Sequence, residues 1–184
     1  NPSAYASTSP ASRRNRALTD PYEPGSAFKL VLAAAALEER LVRPDDLFYG
    51  EEGAIEIGGV KIRDHEKYGW MTFRDVMAFS SNVGAIKVGM KVGKERFYSY
   101  ITSFGFGVPT GVDLPGESHG FIRRPRDWSQ LSLGALSIGH EISATALQMI
   151  SAMSAVANGG SLIRPRALLA VRHPNGSVEE TRPL

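Results

Sequence analysis

Cysteine is absent from this 184-residue chain, which removes disulfide staples, thiolate metal sites and cysteine nucleophiles together. Long apolar runs are missing too: no stretch approaches the roughly eighteen apolar residues that a membrane-crossing helix needs. The first residues lack the charged-then-apolar layout of a secretory signal. Charge of one sign never gathers into a block, with 21 Lys and Arg against 19 Asp and Glu and a formal charge of +2. The nearest cluster is Arg13, Arg14 and Arg16 in a Ser-rich opening. A basic stripe with interleaved aromatics, the footprint of nucleic-acid binding, is not there.

What is present is a globular composition. At 42% hydrophobic and 22% charged residues, the chain can bury one domain-sized core. It opens on Asn1-Pro2-Ser3 and ends on Arg182-Pro183-Leu184, which reads as a piece of something longer. Residues 1–23, rich in Ser, Ala, Arg and Pro without a period, are expected to form an extended lead-in.

From Ser26 to about Arg40 the chain is rich in Ala and Leu around most of a helical circumference, the pattern of a buried helix, and Pro44-Asp45-Asp46 is expected to end it. Ala54 to Ile62 alternates around Gly58-Gly59 as a hairpin. Thr72-Phe73-Arg74-Asp75 has the spacing of a capping box and predicts a helix through Phe79. Further helical patterns run from Val83 to Met90, Lys94 to Phe104 and Ser143 to Ala157, the last stopped by Asn158-Gly159-Gly160. Gly107 to Arg126 reads as loop. Leu168–Val171 and Ser177–Thr181, joined by Pro174-Asn175-Gly176, read as a terminal hairpin.

The chemistry-bearing element is Ser26-Ala27-Phe28-Lys29. Residues three apart share a helix face, so a desolvated, neutral Lys29 can take a proton from the Ser26 hydroxyl. Pro24 and Gly25 keep a helix from running further back, leaving free N–H groups beside Ser26 that favour developing negative charge. Alone, the spacing is weak, since about one such match arises by chance in a chain of this size; its plain reading is a Ser cap before a surface Lys. Ser80-Ser81-Asn82 falls at a junction between helices, where a simple polar link is the plain reading. Trp128 lines a groove or packs as a partly buried aromatic. Asp64-His65-Glu66 point in different directions and suit a solvated turn better than a metal.

Taken in order, these elements resemble the penicillin-binding proteins, specifically the class B transpeptidase domain. The likeness is carried by Asn15 to Ser26 leading into Lys29, by Ser80-Ser81-Asn82-Val83-Gly84, and by Phe104-Gly105-Phe106-Gly107 through Asp113-Leu114-Pro115-Gly116-Glu117. It continues through Ser137-Ile138-Gly139, Ile142 to Gln148 and Ala157 to Gly160. The serine–lysine, Ser-x-Asn and Lys-Thr-Gly motifs form the known set of this superfamily. The resemblance implies an α+β fold shared with serine β-lactamases, and a D,D-transpeptidase that cross-links peptidoglycan stem peptides ending in D-Ala-D-Ala. Ser26 would be the acylated nucleophile, Lys29 its base, Ser80 a proton relay and Asn82 a substrate and lysine contact, with Ser81 and Trp128 among the substrate-binding residues. β-Lactams would acylate Ser26. No cofactor or metal is implied. Division or elongation proteins, including a glycosyltransferase, would be partners, and the setting would be the outer face of the bacterial inner membrane, anchored by a segment outside this chain. His140 and Glu141 stand where many relatives have other residues, often Gly, and receive no catalytic role.

The third motif is missing: no Lys-Thr-Gly or Lys-Ser-Gly occurs. Residues 1–184 are therefore expected to be a partial transpeptidase domain, mainly its helical part with small hairpins and without most of its central antiparallel sheet. A large apolar face would be left open. A serine β-lactamase and a penicillin-sensing or scaffold domain are the alternatives, although the loop signature of class A β-lactamases is not found.

Overall fold

The computed structural model describes residues 6–180. Residues 10–19, expected to be extended, instead form two single-turn helices, α1 (Pro10–Arg13) and α2 (Arg16–Thr19). The first is started by the Ser9 side chain, which accepts the Ser12 N–H, and by a proline in the first turn. Leu18 buries α2; a single apolar residue per turn leaves no period to read. The ends of the lead-in and of the terminal hairpin, including Thr181, lie outside the described residues.

A 3-10 turn at Gly25–Phe28 feeds helix α3 (Lys29–Glu38). Its Ala and Leu residues are the strongest helix formers, and Val31, Leu32, Ala35 and Ala36 are buried. Phe28 anchors the entry, its ring edge-on to Phe106 with centroids 5.1 Å apart and 6.1 Å from Phe97; burying a ring of this kind contributes about 1.5–3 kcal/mol. The helix ends before Pro44. Arg40 takes φ +54°, and the Leu41 and Val42 N–H groups turn back to the Ala36 carbonyl, so a left-handed reversal closes it.

Strand β1 (Leu47–Tyr49) pairs antiparallel with β4 (Trp70–Thr72), and β2 (Ala54–Ile57) with β3 (Val60–Arg63) in the expected hairpin. Helix α4 (Phe73–Ala78) begins at the capping box: the Thr72 hydroxyl accepts the Asp75 N–H and the Asp75 carboxylate accepts the Thr72 N–H. Helices α5 (Asn82–Val92) and α6 (Lys94–Ser103) follow. Between Gly107 and Arg126 the short strand β5 (Phe121–Ile122) interrupts the loop.

Helix α7 (Ser132–Ser137) was not evident in the sequence. It packs on α5 so closely that a Cβ on Gly89 would lie 1.9 Å from the Ser137 Oγ. Ser143, expected to open the last helix, instead forms β6 with Ile142 (Ile142–Ser143) against β5. Helix α8 (Ala146–Ala157) then starts at a second capping box, made by Thr145 and Gln148. The hairpin of β7 (Ala170–Arg172) and β8 (Val178–Glu180) closes the described chain.

The chain is thus α+β, a helical core of α3, α5, α6 and α8 edged by four two-stranded sheets among the described residues. A groove of about 630 Å³ opens between α3, α6 and α8, lined by Ala34, Leu37, Tyr100, Phe104, Val156 and Leu162. Leu37 is 42% and Val156 46% exposed there, whereas α3 from Leu30 to Ala36 is buried or half-buried, so the helix does not present the large open apolar face expected of it and the exposed apolar surface is confined to this groove. No helix among the described residues is long and apolar enough to cross a membrane.

Candidate active site

The second motif is aimed by a backbone reversal. Helix α4 stops at Ala78, Ser80 takes φ +56°, and α5 begins at Asn82. A left-handed conformation costs a serine about 1–2 kcal/mol, which the surroundings offset: Ser81 N–H donates to the Val76 carbonyl at 2.9 Å, and the Ser81 hydroxyl caps α5 by accepting the Gly84 N–H at 2.9 Å. The reversal turns the Ser80 carbonyl and hydroxyl toward α3.

Lys29, only 2% exposed, reaches across to them. Its Nζ donates to the Ser80 carbonyl at 2.5 Å, the Ser80 Oγ at 3.0 Å and the Asn82 Oδ1 at 2.9 Å. Three acceptors match the three donors of an ammonium group. Burial nevertheless disfavours the charge and lowers the lysine pKa from 10.5 to about 8, with the Asp64 carboxylate pulling the other way. About one molecule in ten therefore carries a neutral amine at pH 7.

Asp64 is not in a purely solvated turn. From the end of β3, its carboxylate accepts the Ser81 hydroxyl at 2.7 Å, the Val83 N–H at 3.1 Å and the Asn82 N–H. A carboxylate at a helix N-terminus meets unpaired N–H groups and the positive end of the helix dipole. Arg63 adds its carbonyl, which accepts from Asn82 Nδ2 at 2.9 Å. The β2–β3 hairpin thus holds the second motif in place. The sequence signal was an acidic residue just past a strand and eighteen residues before Asn82, too little to separate it from a turn. Among the described residues no group of three His, Cys, Asp or Glu could hold a metal.

Ser26 is exposed within the 3-10 turn. Its hydroxyl is not bonded to Lys29, whose amine is committed to Ser80 and Asn82; a buried ammonium needs more acceptors than one exposed hydroxyl offers. The approach to Ser26 is gripped by residues more than a hundred positions later. Gly25 N–H donates to the Gly139 carbonyl at 3.0 Å, and Tyr22 and Ala144 exchange backbone hydrogen bonds. A Cβ on Gly139, at φ +79°, would sit 2.0 Å from the Gly25 carbonyl oxygen, so only glycine fits that contact.

Two further sequence candidates sit differently. Ser81 is 1% exposed, and its hydroxyl is committed to Asp64 and the α5 cap. Trp128 is half-buried, its indole N–H donating to the Arg123 carbonyl at 2.9 Å and its ring edge-on to Tyr98 at 6.3 Å; the packing reading describes it. Thr145 and Gln148 are likewise structural, Gln148 Nε2 also donating to the Val108 and His119 carbonyls.

A mainly helical α+β frame that brings a Ser-x-x-Lys turn and a Ser-x-Asn reversal together around one buried amine defines a class of serine–lysine domains. The chain belongs to the penicillin-binding protein transpeptidase domain family, whose model matches residues 1–183, and its relatives are of class B. It is 42% identical over 172 residues to penicillin-binding protein PbpB of Mycolicibacterium smegmatis, covering 92% of this chain and 26% of that protein. It is 32% identical over 169 residues to a probable peptidoglycan D,D-transpeptidase, PbpC, of Pseudomonas aeruginosa, covering 92% of this chain and 30% of that protein. In structure it is similar to penicillin-binding protein 3 of Mycobacterium tuberculosis complexed with aztreonam, with a TM-score of 0.85 and 41% identity, covering 92% of this chain and 38% of the other. The chain spans between a quarter and a third of the length of these curated relatives.

Proposed function

We propose that this chain is the serine–lysine part of a peptidoglycan D,D-transpeptidase domain. One observation carries the reading: the Lys29 amine, buried and drawn down to a pKa of about 8, is shared between Ser80 and Asn82, as a base poised near working pH would be. The first step begins from neutral Lys29. Having lost one proton, its amine keeps two donated bonds and presents a lone pair. The Ser26 oxygen attacks the carbonyl of the penultimate D-alanine while its proton passes to that lone pair, directly or through the Ser80 hydroxyl.

The tetrahedral intermediate places its negative oxygen near the Ser26 N–H, at the opening of a helical turn. It collapses when the C–N bond breaks. The leaving D-alanine nitrogen takes the proton back through Ser80, and the peptide stays on Ser26 as an ester. An amine from a second stem peptide then attacks that ester, which gives the cross-link and returns the proton to Ser26. A β-lactam enters the same first step, its ring amide standing in for the D-Ala-D-Ala bond. Asn82 orients both Lys29 and the substrate amide. The buried side chain of Ser81 supports a positioning role, and Trp128 a packing one.

The groove beside α3 supports the remaining part of the reading, that residues 1–184 are a partial domain whose central sheet, with the third motif, packs there. Division or elongation proteins and a membrane anchor belong to that longer protein. Labelling with a fluorescent penicillin tests both parts. The full-length protein is expected to be labelled and its Ser26→Ala variant not, while the 184-residue chain alone stays dark. Robust labelling of the isolated chain at Ser26 would refute the partial-domain reading.

A further inference from the structure

His140 and Glu141 are used by none of the steps above, yet both grip the segment leading to the nucleophile. The Glu23 carboxylate, three residues before Ser26, meets the His140 Nδ1 at 2.8 Å through Oε2 and accepts the Glu141 N–H at 2.9 Å through Oε1. These two bonds, the His140 contact foremost, hold the Glu23 carboxyl below its ordinary pKa, so it is an acceptor at neutral pH and Nδ1 carries the shared proton. Glu141 adopts φ +59°, a conformation unusual for a side-chain-bearing residue, and its carboxylate is paired with Arg123. On either side of this pair lie the Gly25–Gly139 and Tyr22–Ala144 backbone contacts.

We propose that His140 is a positioning residue for Ser26, acting through its Nδ1 contact with Glu23 to fix the Tyr22–Gly25 approach from which the nucleophile projects. The backbone bonds of Gly25 and Tyr22 set where the approach runs. The Glu23 carboxylate, bonded at both oxygens, keeps it from twisting about that line, and Arg123 holds the strained Glu141 that supplies one of the two donors. The inference rests on the acyl-transfer reading and deepens it. Glu23 and His140 are each about half exposed, at 51% and 54%, so the effect is that of a surface pair, about two- to five-fold.

The geometry gives a test by side-chain shape. Asparagine places its amide nitrogen where Nδ1 stands, whereas glutamine places it nearer the position of Nε2. In the full-length protein, His140→Ala and His140→Gln are expected to slow acylation by a fluorescent penicillin about two- to five-fold, and His140→Asn to stay within about two-fold of the parent. Hydrogen exchange at the Tyr22 and Gly25 amides is expected to quicken in the first two variants and not in the third. Adding Glu23→Gln to His140→Ala is expected to cost no more than the worse single change, as for partners in one contact. Parent-like acylation and exchange in His140→Ala would overturn the proposal, and so would His140→Asn behaving like His140→Ala. If the parent protein is not acylated at all, the acyl-transfer reading fails, and exchange at Tyr22 and Gly25 still decides whether His140 holds the approach.

Discussion

The face of α3 that carries Lys29, Leu32 and Ala36 is sealed against the helical core, whereas the face that carries Ala34 and Leu37 borders an open apolar groove. On the sealed face a charged amine has been taken out of water and given a full set of acceptors. On the open face, apolar carbon remains in water with none of the described residues covering it. One helix therefore faces two environments, a sealed core and open water.

The largest break in this contrast is on the sealed side. Lys29→Met keeps the length and apolar stem but removes the proposed base, and the acylation rate of the full-length protein is expected to fall by roughly 10²–10⁴. Stability moves the opposite way. The folded pKa of about 8 lies below the ordinary 10.5, so between these values the unfolded chain binds more protons and stability rises with pH. Below about pH 8 the folded state bears the whole of that cost. Lys29→Met is therefore expected to be more stable than the parent at pH 7 and to lose that advantage above about pH 10.5, as denaturant melts across pH would show.

The open side is broken by Leu37→Glu with Val156→Glu. If the groove is covered in the full-length protein, two buried carboxylates are expected to cost about 2–4 kcal/mol or more there. In the 184-residue chain the same changes are expected to reduce self-association, read by sedimentation.

Asp64→Asn sharpens the comparison without emptying it. An amide has one oxygen for three donors, so acylation is expected to slow about ten-fold. Because the Asp64 charge raises the Lys29 pKa, its removal is expected to shift the acid limb of the acylation profile to lower pH. A limb that stays in place would show that Asp64 acts on Lys29 only through shape. The smallest effect lies away from both faces: Thr72→Ala loses the α4 cap, which costs about 1 kcal/mol in thermal melts, with acylation unchanged.

Local chemistry was legible in the sequence. The capping box at Thr72, the Gly58-Gly59 hairpin and the Asn158-Gly159-Gly160 stop each depend on residues within a few positions of one another, and each is found. Lys29, Ser80 and Asn82, which the structure joins, stand in ordered motifs of the sequence. What escaped depends on distant partners. The contact of Lys29 with Asn82 was implied, but its bond to the Ser80 carbonyl was not, and forms because a buried ammonium seeks acceptors wherever the fold supplies them. Asp64 becomes a helix anchor only when the hairpin folds over α5, and His140 and Glu141 matter only because Glu23 comes to lie beside them. Helix α7 is defined by its close packing on α5, not by a period of its own.

The close backbone contact between Gly25 and Gly139 also has a consequence in time. Ser26 leaves the ribosome before Ser80, Asn82 and the 139–144 segment, which orient its surroundings, so these cannot be assembled until the chain through Ala144 is free to fold. Contacts of such sequence separation form slowly, because loop closure precedes their reward. A nascent chain carries Ser26 well before it carries the residues that orient its approach. Acylation by a penicillin would therefore report that the last of these distant segments has docked.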